Sequence, residues 1–371
     1  MKLAKTLALL LAVLATVSVV GCNNNKTIKR IPKPANGGGP DGPFTLAWSE
    51  YPSWSVYGVA HEVGLIDKAE GKLGKLEEKW NVDVVLKQLD YEPCLSAFGN
   101  GTTDAVCITN MDIVAPSLGR NGIAVLPTST SAGADACIVT GISSVDELKG
   151  TKSYGLENSV SQYMFERALE EMGQDPAEFP FAQMDPAAAA IAMQNKQDGI
   201  DSIVVWNPFV MQTLSSRKGE AKVLFDSTKI PEEIVDMVVV GNDAMIKQGG
   251  SNFASCIVEA FYEVNKLLES PDSRDETLVE LGEKFGALPL EDMKVIVEQT
   301  KFYKTPDEGI AIFTNSDFQN DLMPRIIDFC MKKVIIEEKP SVSFTEERAQ
   351  IRFDTSFMEK VKSGAGPAAT P

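Results

Sequence analysis

Two stretches of this chain follow one recipe, and that recipe limits the folds open to it. In each, a proline opens a helical segment, a polar turn with glycine closes it, and Asp leads into a buried strand. The first runs from Pro93 to Asp104-Ala-Val-Cys-Ile and the second from Pro186 to Asp201-Ser-Ile-Val-Val. Proline suits the first turn of a helix, where its missing N–H has no partner to lose. The two spacings differ by four residues, so the likeness is one of architecture and not a copied repeat. Around these units, residues 44–48, 82–86, 105–108, 123–126 and 136–139 read as short apolar strands, with helical segments between them. A second series holds a strand through Tyr154, a helix over 161–172 and a strand over 200–205. Strands alternating with helices predict an α/β class sheet covered by helices.

The N-terminus carries Lys2 and Lys5, an apolar run over 6–20, and then Gly21-Cys22. The run is shorter than the ~20 residues a membrane-spanning helix needs, so it reads as a secretory signal peptide. Its ending resembles a bacterial lipobox, with Val19 and Val20 departing from the usual residues. That resemblance implies lipidation of Cys22. Residues 22–43, rich in Asn, Gly and Pro, are expected to be a disordered tether. Loss of residues 1–21 removes two lysines and takes the net charge from −17 to −19. So acidic a chain repels nucleic acid and anionic lipid, and membrane contact is expected through the lipid anchor alone. Cys94, Cys107, Cys137, Cys256 and Cys330 show no metal-binding or redox spacing and are expected to be buried thiols.

About 320 residues follow the tether, more than one hydrophobic core usually holds. Residues 135–141 and 236–241 are expected to be two crossover strands between lobes. Lobe 1 then covers 44–138 with 241–360, lobe 2 covers 139–240, and 361–371 is a flexible tail. Ile257, Ala260, Phe261, Val264, Leu267 and Leu268 recur at helical spacing. Polar strand ends would face a cleft between the lobes, where open α/β sheets bind ligands.

The segment 97–112, with Gly101-Thr-Thr-Asp104-Ala-Val, and the run Gly199-Ile-Asp201-Ser-Ile-Val-Val-Trp206-Asn207-Pro208 resemble the binding proteins of nitrate, sulfonate, taurine and thiamine-precursor importers. The resemblance implies the type II periplasmic-binding-protein fold, two α/β lobes joined by two crossovers. It further implies an exported, lipid-anchored, monomeric protein that delivers a small molecule to an ABC permease and its ATPase subunits. Asn207 stands where Glu is frequent in that family, which points to an unusual ligand.

Candidate binding residues lie in loops after strands. Ser49, Glu50, Tyr51, Trp54 and Tyr57 follow the first strand and offer a stacking wall. Asn110 and Asp112 follow the 105–108 strand, where a helix N-cap is an equal reading. Thr128, Ser129 and Asp135 form a hydroxyl-rich stretch that is equally a plain turn. Asn158, Ser159 and Ser161 precede a helix whose N-terminus is a natural anion seat, or else merely cap it. Trp206 and Asn207 end the strand opposite. Glu50, Asp112, Asp135 and the neighbouring Glu157 are acidic, and no Lys or Arg lies in these loops. Aromatics with carboxylates suit an amine, a zwitterion or a nitrogen heterocycle better than nitrate.

Enzyme chemistry is not expected, and neither is a cofactor. His61 is the single histidine, and no nucleophile elbow, Walker A loop or dinucleotide fingerprint occurs. A pyrimidine synthase shares this superfamily, but Cys330 alone does not match its cysteine-rich segment. A metal-binding lipoprotein using Asp112, Asp135 and Glu157 is the other alternative.

Overall fold

The computed structural model describes residues 39–345 and 348–367. The expected signal peptide, Cys22 and most of the expected tether lie outside the described residues. Four strands start a larger sheet: β1 (Asp41–Trp48), β2 (Val82–Gln88), β3 (Ala105–Thr109) and β4 (Gly122–Ser131). The chain then builds a smaller sheet from β5 (Asp135–Thr140), β6 (Ser153–Gly155), β7 (Phe181–Gln183), β8 (Ser202–Trp206) and β9 (Ala221–Asp226). It returns to the larger sheet through β10 (Val235–Gly241), β11 (Thr300–Phe302), β12 (Val342–Ser343) and β13 (Ile351–Phe353).

The larger sheet is ordered β12-β13-β4-β10-β3-β1-β2, with β11 on β4, and the smaller β7-β6-β8-β5-β9. Strand β10 runs antiparallel to both β3 and β4, with Met237 opposite Ile108 on one side and Pro127 on the other. Every residue of β10 is buried. A central strand covered on both faces has no solvent side, which is why Met237-Val-Val-Val240 is unbroken apolar sequence. On one face lies the helix Gly250–Glu269, buried along Ile257, Ala260, Phe261, Val264 and Leu268. Its Phe253 stacks on Phe44 of β1 at 4.7 Å, an arrangement worth about 0.5–1.5 kcal/mol beyond the area buried.

Sheet pairing moves the expected lobe boundaries. Strand β5 pairs with β8 and β9, so it belongs wholly to the smaller lobe. Strand β10 belongs to the larger one. The crossings are the short segments 132–134 and 227–234. An apolar β run does not declare which sheet it joins; only its hydrogen-bond partners do. The two crossings are tied together by Ser227, whose Oγ lies 2.7 Å from Ser131 Oγ and accepts the Gly133 N–H at 2.8 Å.

Both ends of the body also extend further than expected. Asp41 pairs with Val82, so the last residues of the supposed tether are strand. Gly42 sits at φ +123°, and a Cβ there would lie 2.8 Å from Asp83 O, so the glycine serves a close strand approach and not looseness. At the other end the helix Ser356–Lys362 buries Phe357 and Met358. Cys94, Cys107, Cys137, Cys256 and Cys330 are free and buried, as expected. No helix among the described residues is long and apolar enough to cross a membrane.

Candidate ligand-binding cleft

Strand ends from both sheets converge where the lobes meet. After β1 the chain turns tightly, with Trp54 and Ser55 N–H groups both donating to Tyr51 O, and this turn places Tyr51 and Trp54 side by side. Their rings lie 4.9 Å apart. Trp54 stacks on Tyr91, from the start of the helix Tyr91–Gly99, at 5.3 Å and 18°. Tyr91 then meets Trp206, at the end of β8, edge-on at 5.5 Å. Four rings thus run in an unbroken line from the larger lobe into the smaller.

These rings wall a cavity. The larger lobe supplies Tyr51, Trp54, Tyr91, Thr109 and Asp236, the second crossing supplies Ile234, and the smaller lobe supplies Asp135, Val160 and Trp206. The cavity offers about 10 Å³ to the centre of a water molecule, room for about one water. A second, outer cavity is bounded by Ser49, Glu50 and Asp90 on one lobe and by Asp185, Pro186 and Phe209 on the other. Tyr91 and Trp206 border both, so their ring contact is the partition between them.

The electrostatics are one-sided. No Lys, Arg or His lines either cavity. Asp236, at the start of β10, accepts from Ser129 Oγ at 2.6 Å. Ser129 Oγ is 2.8 Å from Ser53 Oγ, which is 2.9 Å from Thr128 Oγ1, giving a chain of hydroxyls that ends on the carboxylate. Asp135, at the start of β5, has its carboxyl pushed up to about 7, chiefly by burial, with Asp112 adding to the rise and Ser131 opposing it. Asp236 is raised well above the usual carboxylate range, again chiefly by burial, with Asp135 among the charges that raise it. Glu50, in the outer cavity, is raised by burial and then by Asp90.

Asp112 is placed differently. Its Oδ2 accepts from Tyr91 OH at 2.7 Å and Thr109 Oγ1 at 2.8 Å, and its Oδ1 accepts the Val160 N–H of the other lobe at 3.1 Å. Burial, opposed by these bonds, raises it to about 6. Val160 opens the helix Val160–Glu171, whose N-terminus carries positive partial charge. The seat that sequence offered to an anion is therefore taken by a carboxylate of this chain. On the second crossing, and lining neither cavity, Glu233 holds Arg167 at 3.0 Å, Arg325 at 2.9 Å and Tyr163 OH at 2.7 Å.

The structure brings together some of the sequence candidates and separates others. Tyr51, Trp54, Asp135 and Trp206 line the inner cavity, and Ser49 and Glu50 the outer one. Thr128 and Ser129 act on the inner cavity through the hydroxyl chain. Ser159 caps its helix, accepting from the Ser161 N–H at 3.2 Å. Ser161 Oγ is buried without a hydrogen-bond partner. Tyr57 points away from the cleft: its helix, Val56–Glu62, packs on the helices Gly250–Glu269 and Arg274–Glu283, and its OH donates to Ile257 O at 3.1 Å. Asn110 spends its amide on backbone, donating to Glu233 O at 3.0 Å and accepting Val235 N–H at 3.1 Å. Asn207, in the turn just beyond β8, donates to Gln299 Oε1 at 2.8 Å and accepts from Met211 N–H, and it does not line the inner cavity. Asn158 is exposed, its N–H held by Gln162. Sequence reasoning missed Tyr91 and Asp236. The signals were an aromatic beside Pro93 after a strand, and a lone carboxylate at the start of an apolar one.

Among the described residues, no group of three or more His, Cys, Asp or Glu is placed to hold a metal ion. His61 lies outside the cleft, its Nδ1 accepting from Lys68 N–H.

No family model matches this chain, and no curated relative does. Solved structures do resemble it. The periplasmic aliphatic sulphonate binding protein SsuA of Escherichia coli superposes with TM-score 0.62 at 19% identity, covering 80% of this chain and 89% of that one. The alkanesulfonate-binding protein SsuA of Xanthomonas axonopodis pv. citri, bound to MOPS, gives TM-score 0.64 at 14% identity, covering 85% and 100%. The CA3427 gene product of Candida albicans, described as having the generic periplasmic binding protein structural fold, gives 0.58 at 11%, covering 89% and 98%. This chain has that fold, in the two-lobed arrangement expected from its sequence.

Proposed function

We propose that this chain is an extracytoplasmic solute-binding protein of an ABC importer, holding a small nitrogen-containing organic solute between its lobes. The observation that carries the reading is the line of rings from Tyr51 to Trp206, which crosses from one lobe to the other beside Asp135 and Asp236. Only a ligand that touches both lobes can shift the balance between open and closed forms. Aromatic faces and carboxylates attract a protonated or quaternary amine by cation–π contact and charge-assisted hydrogen bonds. The sulfonate-binding proteins of like fold support the transport role but not their ligand, since the Val160 N–H is already bonded to Asp112.

In this role the inner cavity is the collapsed, closed form of the site, and lobe separation admits the solute. The signal peptide and Cys22 would export the protein and tether it by lipid, facing the periplasm or cell exterior. Its partners would be the permease with its ATPase subunits, met as a monomer, and no step of catalysis is assigned to it. A thermal-shift screen of the purified chain against amines, betaines, alkanesulfonates, pyrimidines, nitrate and divalent ions tests the reading. A rise in melting temperature with a nitrogen-containing organic class is expected, because a ligand of the folded state stabilises it by mass action. A response to divalent ions alone would replace the reading with the metal-binding one.

A further inference from the structure

The two carboxylates of the inner cavity come from opposite lobes. Asp135 opens β5 in the smaller sheet, and Asp236 is the second residue of β10 in the larger. Both line one cavity, and each is at least 97% buried, at 3% and 1% exposure. Bringing the lobes together therefore brings two acids into one water-poor space. The titratable groups facing the pair are Asp112 beyond Thr109, Tyr51 from the turn after β1, Tyr91, Tyr303 after β11, and Cys107 on β3. Ionisation makes each of them negative, so none can neutralise the acids. Buried like charges without a counter-charge are costly, and a group in that position takes up a proton or a cation.

A second observation points to a ligand. Trp54 Nε1 borders the same cavity on a residue only 2% exposed, and it has no hydrogen-bond partner. Trp54 Nε1–H can only donate, so it asks for an acceptor atom beside the positive charge.

We infer that closure of this cleft is conditional on positive charge between Asp135 and Asp236, supplied by a small organic cation that also carries an acceptor, or by protons in its place. The inference rests on the binding role proposed above and names the ligand's charge. On closing around a cation, the carboxyls release to bulk water the protons they would otherwise hold.

The sign follows from the closed form. Its acids titrate higher than free carboxyls, so it binds protons more tightly than the open form. Closure is favoured as pH falls through about 7, the value for Asp135, and that support is gone above it. Between pH 8.5 and 5.5, Asp135 alone shifts the balance toward closure on the order of tenfold or more.

Hydrogen–deuterium exchange of the purified full chain at pH 5.5 and 8.5, with times scaled to the intrinsic rates, reads this without any solute. Segments 49–56, 90–94 and 203–208 should exchange on the order of tenfold faster at pH 8.5, while the helix Gly250–Glu269 reports unchanged folding. Ethanolamine hydrochloride at pH 8.5 should restore the protection, and sodium chloride or sodium methanesulfonate should not. The double variant Asp135→Asn with Asp236→Asn should be equally protected at both pH values. Equal protection of the unmodified chain at the two pH values overturns the inference, whether or not the variant folds. So does a pH response that ethanolamine leaves unchanged. Failure of the import role would appear separately, as normal solute uptake in cells lacking this chain.

Discussion

Replacing Trp206 by Ala removes the one ring through which the smaller lobe joins the aromatic line. Trp206 meets Tyr91 across the lobes at 5.5 Å and Phe209 within its own lobe at 6.2 Å. The Phe209 contact is present whether the cleft is open or closed, so its loss costs folding stability alone. The Tyr91 contact forms only on closure and is worth about 0.5–1.5 kcal/mol. A solute stacked on the indole loses a similar amount, so binding should weaken by about 1–3 kcal/mol in total, or about 5- to 150-fold. Isothermal titration with the strongest binder of the solute panel measures this. Trp206→Phe should recover most of the affinity, and Phe209→Leu should lower the melting temperature while leaving the dissociation constant nearly unchanged. Affinity of Trp206→Ala within twofold of the parent would remove the ring from the site.

Three further perturbations test other parts of the account. Asp112→Ala leaves Tyr91 OH, Thr109 Oγ1 and Val160 N–H without their acceptor. It should cost about 2–4 kcal/mol in chemical denaturation, with Asp112→Asn costing less; an unchanged midpoint would contradict the latch. Glu77 is fully buried and accepts the N–H groups of Asp67, Gly74 and Val84 at 2.6, 2.6 and 2.7 Å. Glu77→Ala should cost about 3–5 kcal/mol without moving solute affinity, and a drop in affinity at unchanged stability would reverse that assignment. Burial pushes the thiols of Cys94, Cys137 and Cys330 up to about 12. The five body cysteines should therefore resist a thiol reagent at pH 8 until denaturant is added; stoichiometric labelling of the native chain would show that the core opens readily.

Much of this architecture is legible in the residues because strands buried on both faces leave unbroken apolar runs. Residues 105–108 and 236–241 announce themselves in that way. What such runs omit is their partners, so β5 and β10 were read as the crossings themselves, whereas each pairs within one sheet. Trp54 and Trp206 stand out because a large aromatic beside a polar turn has few other uses. Tyr91 was hidden by Pro93, which drew the helix start two residues too far along. Asp236 was hidden because its meaning lies in Asp135, a hundred residues away and on another sheet. Tyr57 and Asn207 looked equivalent to Trp54 and Trp206, but local geometry turns each of them elsewhere. Ser159 caps its helix, one of its two readings in sequence, while Asn110 is no N-cap and ties its amide to the backbone of Glu233 and Val235.

Two cavities walled by rings and carboxylates, with no Lys, Arg or His lining either, are proposed to select a positively charged nitrogen solute. Calorimetric titration of the purified chain at pH 8 with small organic ammonium compounds, alkanesulfonates and nitrate tests it most directly. Saturable binding of at least one ammonium compound, with none for sulfonate or nitrate and with proton release that varies with the buffer's ionisation heat, is the predicted result. Saturable binding of a sulfonate or nitrate, with no response to any ammonium compound, would contradict it.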